Sequence, residues 1–351
     1  MASAYLGVDI GTTSIKAVEV RGGKDRPRVT NYGILESSSY LARANQALQT
    51  SGLKLFESGT TDLLKTLLKQ MGPTVKDVVA SLAPFSVFTV ALDFPQMDAK
   101  DVEKAMVYQA KQYVPLPLSE VALDWLKIGE YTDDAGAMHQ KIVLIAVPQE
   151  QIKKYQRMFK AAGLSLKALE IESLSIARVF GDDPTPTIVV DIGSRSTNIV
   201  FAEGGRYVWS VQCDFASASL TQALSESLSI NPLRAEELKK ERGIIGTGPN
   251  HELSTIMLPV VDAIISEVRK AQYTFAQQFS VARKPERVLL SGGGASLLGL
   301  VPYFEREMGL PTAKAAPFSR FEYDPAMEPL AVELNPTMSI ALGLAMKGFQ
   351  R

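Results

Sequence analysis

The sequence predicts an α/β protein whose framework is written twice, and three observations carry that prediction. A strand–turn–strand–turn–strand passage fills residues 5–35 and recurs at 187–213 with the same punctuation: a strand ending in Asp-Ile-Gly, small hydroxyl residues, a second strand, Gly-Gly, a third strand. β-Branched runs broken by turn residues read as hairpins. Helix-length amphipathic segments alternate with short apolar strands through the rest of the chain, the pattern of layered α/β folds. A further buried strand, Arg287-Val288-Leu289-Leu290-Ser291, empties into Gly292-Gly293-Gly294 and a helix expected at 297–308.

Each element has a local reason. Tyr5-Leu6-Gly7-Val8-Asp9 is an apolar strand that turns at Ile10-Gly11-Thr12-Thr13. Residues 14–20 form the next strand, Gly22-Gly23-Lys24-Asp25 turns it, and residues 28–35 return. Residues 61–71 set Leu63, Leu64, Leu67 and Leu68 on one helix face, stopped by Gly72-Pro73. Residues 98–113 repeat Val102, Ala105, Met106, Gln109 and Tyr113 at helical spacing, and Pro115 and Pro117 end the helix. Residues 125–131 and 141–147 read as strands about the polar turn Asp133-Asp134-Ala135-Gly136, and 149–162 as a helix closed by Gly163. A linker-like stretch, residues 181–186, precedes the second repeat. There Thr187-Ile188-Val189-Val190-Asp191 runs into Ile192-Gly193-Ser194-Arg195, residues 196–203 follow, Gly204-Gly205 turns, and 206–212 return. Residues 252–279 carry Leu253, Ile256, Met257, Val260, Val261, Ile264, Ile265 and Val268 along one long helix. The Pro-rich, aperiodic stretch 314–336 reads as a long surface loop.

Composition excludes more than it names. The 351 residues, 46% apolar and 21% charged, describe an ordinary globular chain with room for two domains. Lys+Arg 37 against Asp+Glu 38 gives a net charge of −1, which argues against a polyanion-binding surface, so nucleic acid is not an expected partner. Cys213 alone excludes a disulfide framework and a Cys-based zinc site, and fits a reducing cytosol. His139 and His251 lie too far apart to read as a metal pair. No apolar run approaches the roughly 18–20 residues that span a bilayer. The opening residues lack a charged n-region and an apolar h-region, so a signal peptide is not expected either.

The turns carry the chemistry. In Asp9-Ile10-Gly11-Thr12-Thr13-Ser14-Ile15-Lys16, Gly11 lets backbone approach an anion, and successive N–H groups with hydroxyls form an anion-binding concavity. Lys16 supplies a point charge for terminal phosphates. Asp9, at a strand end, suits Mg²⁺ held through water, because Mg²⁺ dehydrates reluctantly. Asp191-Ile192-Gly193-Ser194-Arg195-Ser196 offers a second cradle and a second carboxylate. One Asp-Ile-Gly turn reads equally well as a plain hairpin; two at matched places favour a clamp for a triphosphate and its metal. The glycine run at 292–294 brings backbone against a flat or charged ligand, a weak signal alone that gains from following the two hairpins.

Together these features resemble the actin-like ATPase superfamily, a duplicated ribonuclease H-like fold that includes actin, sugar kinases, heat-shock chaperones, MreB and FtsA. Its phosphate-one, phosphate-two and adenosine motifs match residues 9–16, 191–197 and 289–295. Residues 171–177, with Glu172, sit where relatives have a Glu-bearing connecting helix, and 338–345 match the second connecting helix. Ala235-Glu236-Glu237-Leu238-Lys239 is similar to the helix that contacts adenosine in bacterial actins; Glu236 and Lys239 share a face, and a solvated ion pair is the alternative. A narrower resemblance is to the PilM family of type IV pilus assembly, on Phe94-Pro95-Gln96-Met97-Asp98, residues 105–118 and Val121-Ala122-Leu123-Asp124-Trp125. The chain stops at Lys347-Gly348-Phe349-Gln350-Arg351, where FtsA has an amphipathic membrane helix, so no direct membrane insertion is expected.

The resemblance implies two actin-like lobes, residues 1–186 with an FtsA/PilM-type insert at about 85–165, and 187–351 with a subsidiary helical part at about 214–284. It implies ATP or ADP with Mg²⁺ in the cleft. Gly11, Thr12, Thr13, Lys16, Gly193, Ser194 and Ser196 would hold the phosphates, and Glu236, Lys239, Gly292, Gly293 and Gly294 the adenosine. Asp9 and Asp191 would hold the metal, and Glu172 would orient the attacking water in what is at most a slow ATPase. It further implies a cytoplasmic protein held at the inner membrane through a partner, the N-terminal cytoplasmic segment of a PilN-like protein, with pilus motor ATPases beyond it and self-association left open. Tyr113, Pro115 and Leu116 are the groove candidates, and filling the insert's own core is their alternative. Two other readings share the fold. A small-molecule kinase matches the opening hairpin but needs a base Asp in a polar pocket, for which residues 36–186 offer no candidate; an FtsA-like polymer-forming division protein is the other.

Overall fold

The computed structural model describes residues 3–23, 25–36, 57–133, 135–181, 183–245, 251–279 and 282–349. Met1, Ala2, Lys24 of the first Gly-Gly turn, Asp134 of the polar turn, Asp182 of the linker, and Gln350 and Arg351 lie outside the described residues.

The duplication is visible in the sheets. Strands β1 (Ala4–Ile10), β2 (Ser14–Arg21) and β3 (Arg28–Glu36) form an antiparallel meander, to which β4 (Asp77–Leu82) and β8 (Ser165–Ile171) add in parallel, in the order β3-β2-β1-β4-β8. The second sheet repeats this with β9 (Thr187–Ile192), β10 (Thr197–Glu203), β11 (Arg206–Cys213), β12 (Arg287–Ser291) and β13 (Thr312–Lys314), in the order β11-β10-β9-β12-β13. Even the register shift recurs, after Glu19 in β2 and after Phe201 in β10, 182 residues apart like Asp9 and Asp191. A third sheet, β5 (Phe88–Pro95), β6 (Val121–Thr132) and β7 (Met138–Pro148) in the order β5-β7-β6, forms the insert.

Helices close the layers. α1 (Glu57–Met71) and α3 (Gln149–Ala161) cover the first sheet through Leu64, Leu67, Met158 and Phe159. α2 (Ala99–Tyr113) starts at Asp98, whose carboxylate accepts from the Asp101 N–H at 2.9 Å, and buries Val102, Met106 and Ala110 on the insert sheet. In the second half α5 (Ser217–Leu228), α6 (Pro232–Arg242), α7 (His251–Gln278) and α8 (Leu300–Met308) enclose the largest core.

Two expectations are corrected. The glycine run leads first into a 3-10 turn, Gly293–Ser296, and α8 begins only at Leu300. Leu297 is extended and Gly299 left-handed (φ +85°), which no continuous helix accommodates. Residues 314–336 are not a long surface loop. Three 3-10 turns and α9 (Glu328–Leu334) fill that stretch, and Phe318, Phe321 and Ala331 are buried against Val18, Val20 and Val29 of the first meander. Each 3-10 turn has proline in its first turn, so the segment folds without showing a 3.6- or 2-residue period.

Two helices cross between the sheets: α4 (Glu172–Val179) and α10 (Ser339–Lys347). Their contact is backbone against backbone. A Cβ on Gly343 would stand 2.1 Å from the Ser175 carbonyl oxygen, and one on Gly7 of β1 2.0 Å from that of Ala341.

Glu19 gives this half a pH signature. Its buried carboxylate accepts from the Thr74 N–H (2.7 Å), the Thr74 hydroxyl (2.6 Å) and the Thr30 hydroxyl (3.0 Å). Burial alone would raise its pKa, but these donors and Arg21 outweigh it and hold it low. A depressed carboxyl contributes stability that is present above its unfolded pKa and lost as pH falls through the folded one. Glu19→Gln is therefore expected to lose about 1–3 kcal/mol at pH 7, with the deficit shrinking below pH 4.5; urea melts at pH 7 and pH 3.5 check this.

Candidate functional site

The two meanders present the same turn. Gly11 N–H donates to the Ser14 carbonyl at 2.9 Å, and Gly193 N–H to that of Ser196 at 3.0 Å. Each bond closes a tight four-residue loop, and the N–H groups of Thr12, Thr13, Ser194 and Arg195 make no backbone hydrogen bond among the described residues. They are free donors on half-buried turns, as an anion cradle requires. The second turn is anchored from behind: its Gly193 and Ser194 carbonyls accept from Ser217 and Ala218 N–H groups at the start of α5.

Charge converges between the turns. Asp9 pairs in register with Lys16, whose ammonium lies 3.3 Å from its carboxylate, and Asp191 stands opposite Asn198 in the equivalent ladder. Each aspartate has a serine beside it on the next parallel strand: Ser81 of β4 donates to Asp9 at 3.0 Å, and Ser291 of β12 stands in register with Asp191 while its hydroxyl bonds Ser339 Oγ at 2.9 Å. Glu172, at the start of α4, completes the group. Burial pulls Lys16 down, but Asp9, Asp191 and Glu172 outweigh it and raise its pKa. Burial, with Lys16 and Ser291 only partly opposing it, pushes Asp191 up to about 6. Glu172 is held well above the carboxylate range by burial and by Asp9 and Asp191. Three carboxylates thus share one ammonium, a centre short of positive charge. Among the described residues no three His, Cys, Asp or Glu side chains come together tightly enough to hold a metal directly. A divalent ion bridged to Asp9 and Asp191 by its own waters fits this donor set.

The glycine run closes against the second turn. Gly292 has φ +81°, and a Cβ there would fall 2.5 Å from the Ile192 carbonyl oxygen; one on Gly294 would fall 2.3 Å from the Ile192 side chain. Gly293 faces open space. The residues just after the glycine run and just after α6 pack together, with the Ile244 N–H beyond α6 donating to the Leu298 carbonyl at 2.8 Å. Glu236 and Lys239 on α6 are no solvated pair, being 15% and 6% exposed and 2.6 Å apart. Lys239 Nζ also donates to Ser217 Oγ (2.7 Å) and Thr221 Oγ1 (3.0 Å), so its three protons are engaged inside the protein. Burial pulls Lys239 low despite Glu236; Glu236 is itself held low, because Lys239 and Thr221 outweigh its burial. Lys239 braces Glu236 against α5, and Glu236 also accepts from Thr221 Oγ1 at 2.6 Å.

A cavity of about 430 Å³ lies between the insert and β11. Of the three groove candidates it takes Tyr113, 52% exposed. Pro115 is exposed away from its lining, and Leu116 packs on the insert core. The cavity adjoins the charged centre. Asn198 lines it and donates to Ser173 Oγ at 3.0 Å, next to Glu172. Arg195 of the second turn lies 5.0 Å over the ring of Phe85, beside the lining residue Pro84. Sequence reasoning missed Ser81, Ser291 and Asn198. Asn198 had a signal, since it stands 182 residues after Lys16; the serines had none, because strand neighbours are set by topology.

A family model described as type IV pilus assembly protein PilM matches residues 7–349. A solved structure titled "PilM-PilN type IV pilus biogenesis complex" superposes with TM-score 0.82 at 23% identity over 99% of each chain. MreB5 of Spiroplasma citri bound to ADP matches with TM-score 0.56 at 14% identity, over 99% of this chain and 96% of that one. Cell division protein FtsA of Enterococcus faecalis (strain ATCC 700802 / V583) is 21% identical over 336 residues, 85% of this chain and 75% of the relative. The fold is that of the actin-like ATPases. Among the described residues no helix is long and apolar enough to cross a membrane.

Proposed function

Because this chain belongs to the family of type IV pilus assembly protein PilM, we propose that it is the nucleotide-clamped adaptor of a pilus assembly machine. It binds ATP or ADP between its two Asp-Ile-Gly turns and captures the N-terminal cytoplasmic segment of a PilN-like inner-membrane protein. The observation that carries the nucleotide reading is the centre of Asp9, Asp191 and Glu172 around Lys16, flanked by two turns with free N–H donors. MreB5 of Spiroplasma citri, of the same fold, is solved with ADP and with AMPPNP.

In this reading Gly11, Thr12 and Thr13 with Gly193, Ser194 and Ser196 cradle the phosphates. Lys16 neutralises the terminal one. Asp9 and Asp191 would hold a Mg²⁺ ion, which would supply charge neutralisation when bound. Gly292, Gly293, Gly294 and Glu236 face the adenosine, and Glu172 orients water. Burial and the two aspartates favour the protonated form of Glu172, in which it cannot take a proton from water, so hydrolysis is slow and the nucleotide serves as a clamp. A PilM relative solved as a "PilM-PilN type IV pilus biogenesis complex" supports the partner. Attachment through that segment makes this a cytoplasmic protein held at the inner membrane, passing its nucleotide state to the motor platform.

Saturating ATP–Mg²⁺, at a hundredfold over its Kd, is expected to add about 2.7 kcal/mol of stability. Asp9→Ala or Asp191→Ala is expected to abolish the corresponding rise in melting temperature. An undiminished rise in both variants would sink the site assignment.

A further inference from the structure

The acidic centre marks one end of the first sheet, and the opposite end carries the opposite charge. β1, β4 and β8 run parallel, with the centre at their C-terminal ends: Asp9 and Ser81 are next to last in β1 and β4, and Glu172 follows β8. Their N-terminal ends begin at Ala4, Asp77 and Ser165. Separate segments meet there. Arg21, closing β2, stands in register with Ala4 and donates to Thr74, in the loop from α1 to β4, at 2.7 Å. Lys76 ends that loop, and its carbonyl accepts from the Ser165 N–H at 2.8 Å, where the chain enters β8 from α3. α1 and α3 feed β4 and β8, so their last turns, with Lys69 and Lys160, close the same end.

The cations outnumber the acids around them. Lys65, Lys69, Lys76, Lys153 and Lys160 are exposed and have no ion pair among the described residues. Leu64, Leu67, Met158 and Phe159 bury the inner sides of α1 and α3 in one core, so the lysine-bearing sides face outward. The nearby acids are engaged, Glu19 by Thr74 and Arg21 and Asp77 by Lys167 at 3.2 Å. Asp62 and Glu150 lie toward the N-termini of the two helices. A lysine in a last turn answers the helix dipole, which accounts for Lys69 and Lys160 but not for Lys65, Lys76 or Lys153. The seven residues of β1 span roughly 20 Å, more than twice the screening length of about 8 Å at physiological salt. The acidic centre therefore leaves this field uncancelled, although the whole chain carries only −1.

Lysine dominates the unpaired set. Its ammonium is a hydrated point charge, without the fork by which arginine reads a single phosphate or base edge. Such charges, spread over two helix faces and a loop, match a fluid layer of negative headgroups. Resting on the inner-membrane placement proposed above, we infer that this end of the first lobe is a membrane-facing surface for the anionic lipid headgroups of the cytoplasmic leaflet. It attaches by charge, with no inserted segment. Docked this way, the two phosphate turns face away from the bilayer, and nucleotide exchanges without detachment.

The test is co-sedimentation of the full chain, with ATP–Mg²⁺, on vesicles of phosphatidylcholine alone and of equimolar phosphatidylglycerol and phosphatidylcholine. Binding is expected to the mixed vesicles only, and to fall steeply with added salt. Lys69→Gln/Lys76→Gln/Lys160→Gln should weaken it about hundredfold, since each lysine near an anionic surface is worth about fivefold. Lys100→Gln/Lys104→Gln/Lys111→Gln, on α2 of the insert, removes the same charge and should change it little. No binding to the mixed vesicles, equal binding to both kinds, or equal loss in the two variants would each overturn the inference. Binding to duplex DNA in place of vesicles, with the same lysine dependence, would assign the surface to nucleic acid and overturn it too. Titration with a synthetic peptide of the PilN-like protein's N-terminal segment keeps the two readings apart. The triple variant on the first lobe should bind that peptide as the parent does, so failure with vesicles leaves partner capture standing, and failure with the peptide overturns the partner reading alone.

Discussion

Glu170→Ala is expected to lower the unfolding free energy by about 3–5 kcal/mol, the usual loss when one partner of a buried ion pair is removed. Glu170 ends β8 and Arg178 lies in the last turn of α4, and their side chains are 5% and 10% exposed. The guanidinium is bidentate, at 2.5 Å and 2.8 Å, and also donates to the Gly343 carbonyl on α10 at 2.9 Å. The pair thus ties the first sheet to both crossing helices. It sits where Gly343 has no room for a Cβ, so α10 has no repacking route to fill the gap. Removing the carboxylate leaves Arg178 buried without its counter-charge. The double variant Glu170→Leu/Arg178→Met is expected to recover most of the loss, because an apolar pair of similar volume carries no desolvation cost. Urea unfolding of the three proteins checks this; a single-variant loss below about 1 kcal/mol would mean the pair behaves as an exposed one.

Local chemistry made most of the framework legible. Each meander announces itself through a β-branched run, an Asp-Ile-Gly turn and a Gly-Gly turn within some thirty residues, so its pairing is local and its strand ends fell within a residue or two of those expected. The candidate site was legible for the same reason: Asp9, Gly11, Lys16, Asp191 and Gly193 lie on the turns themselves. What stayed hidden depends on neighbours distant in sequence. Ser81 and Ser291 stand beside the aspartates because β4 and β12 lie next to β1 and β9, and nothing around them in sequence says so. Lys239 read as an adenosine contact or a solvated charge; it is not solvated, and the hydroxyls around it, Ser217 and Thr221, lie on another helix. Residues 314–336 misled because tertiary burial of Phe318 and Phe321 orders a segment without a period of its own. The cavity between the insert and β11 was beyond reach, since its walls come together only after three sheets are assembled.

Lys16→Met and Glu172→Gln are expected to move the nucleotide-free protein in opposite directions. Lys16 is the ammonium shared by Asp9, Asp191 and Glu172. Without it three carboxylates face one another in a partly dry cleft, and stability at pH 7 should fall by about 3 kcal/mol, the lower end for a broken buried pair. Glu172 is the converse case. Burial and the two aspartates hold its pKa well above the ordinary value. An acid whose folded pKa is raised contributes stability at low pH that is lost as pH climbs from the unfolded value through the folded one. Glutamine escapes that loss, so Glu172→Gln should be the more stable protein at pH 7, and its advantage should vanish toward pH 4.5. The Lys16→Met deficit should likewise shrink on acidification, as Asp191, already at about 6, takes up its proton. Thermal melts of both variants at pH 7 and pH 5 give the signs, and the same melts with ATP–Mg²⁺ separate charge from ligand. Glu172→Gln should keep the nucleotide-dependent rise while losing turnover, and Lys16→Met should lose the rise. Were Glu172→Gln less stable than its parent at pH 7, the carboxylate would be a structural acceptor, and the centre would not be the strained, cation-seeking site that a nucleotide and its metal relieve.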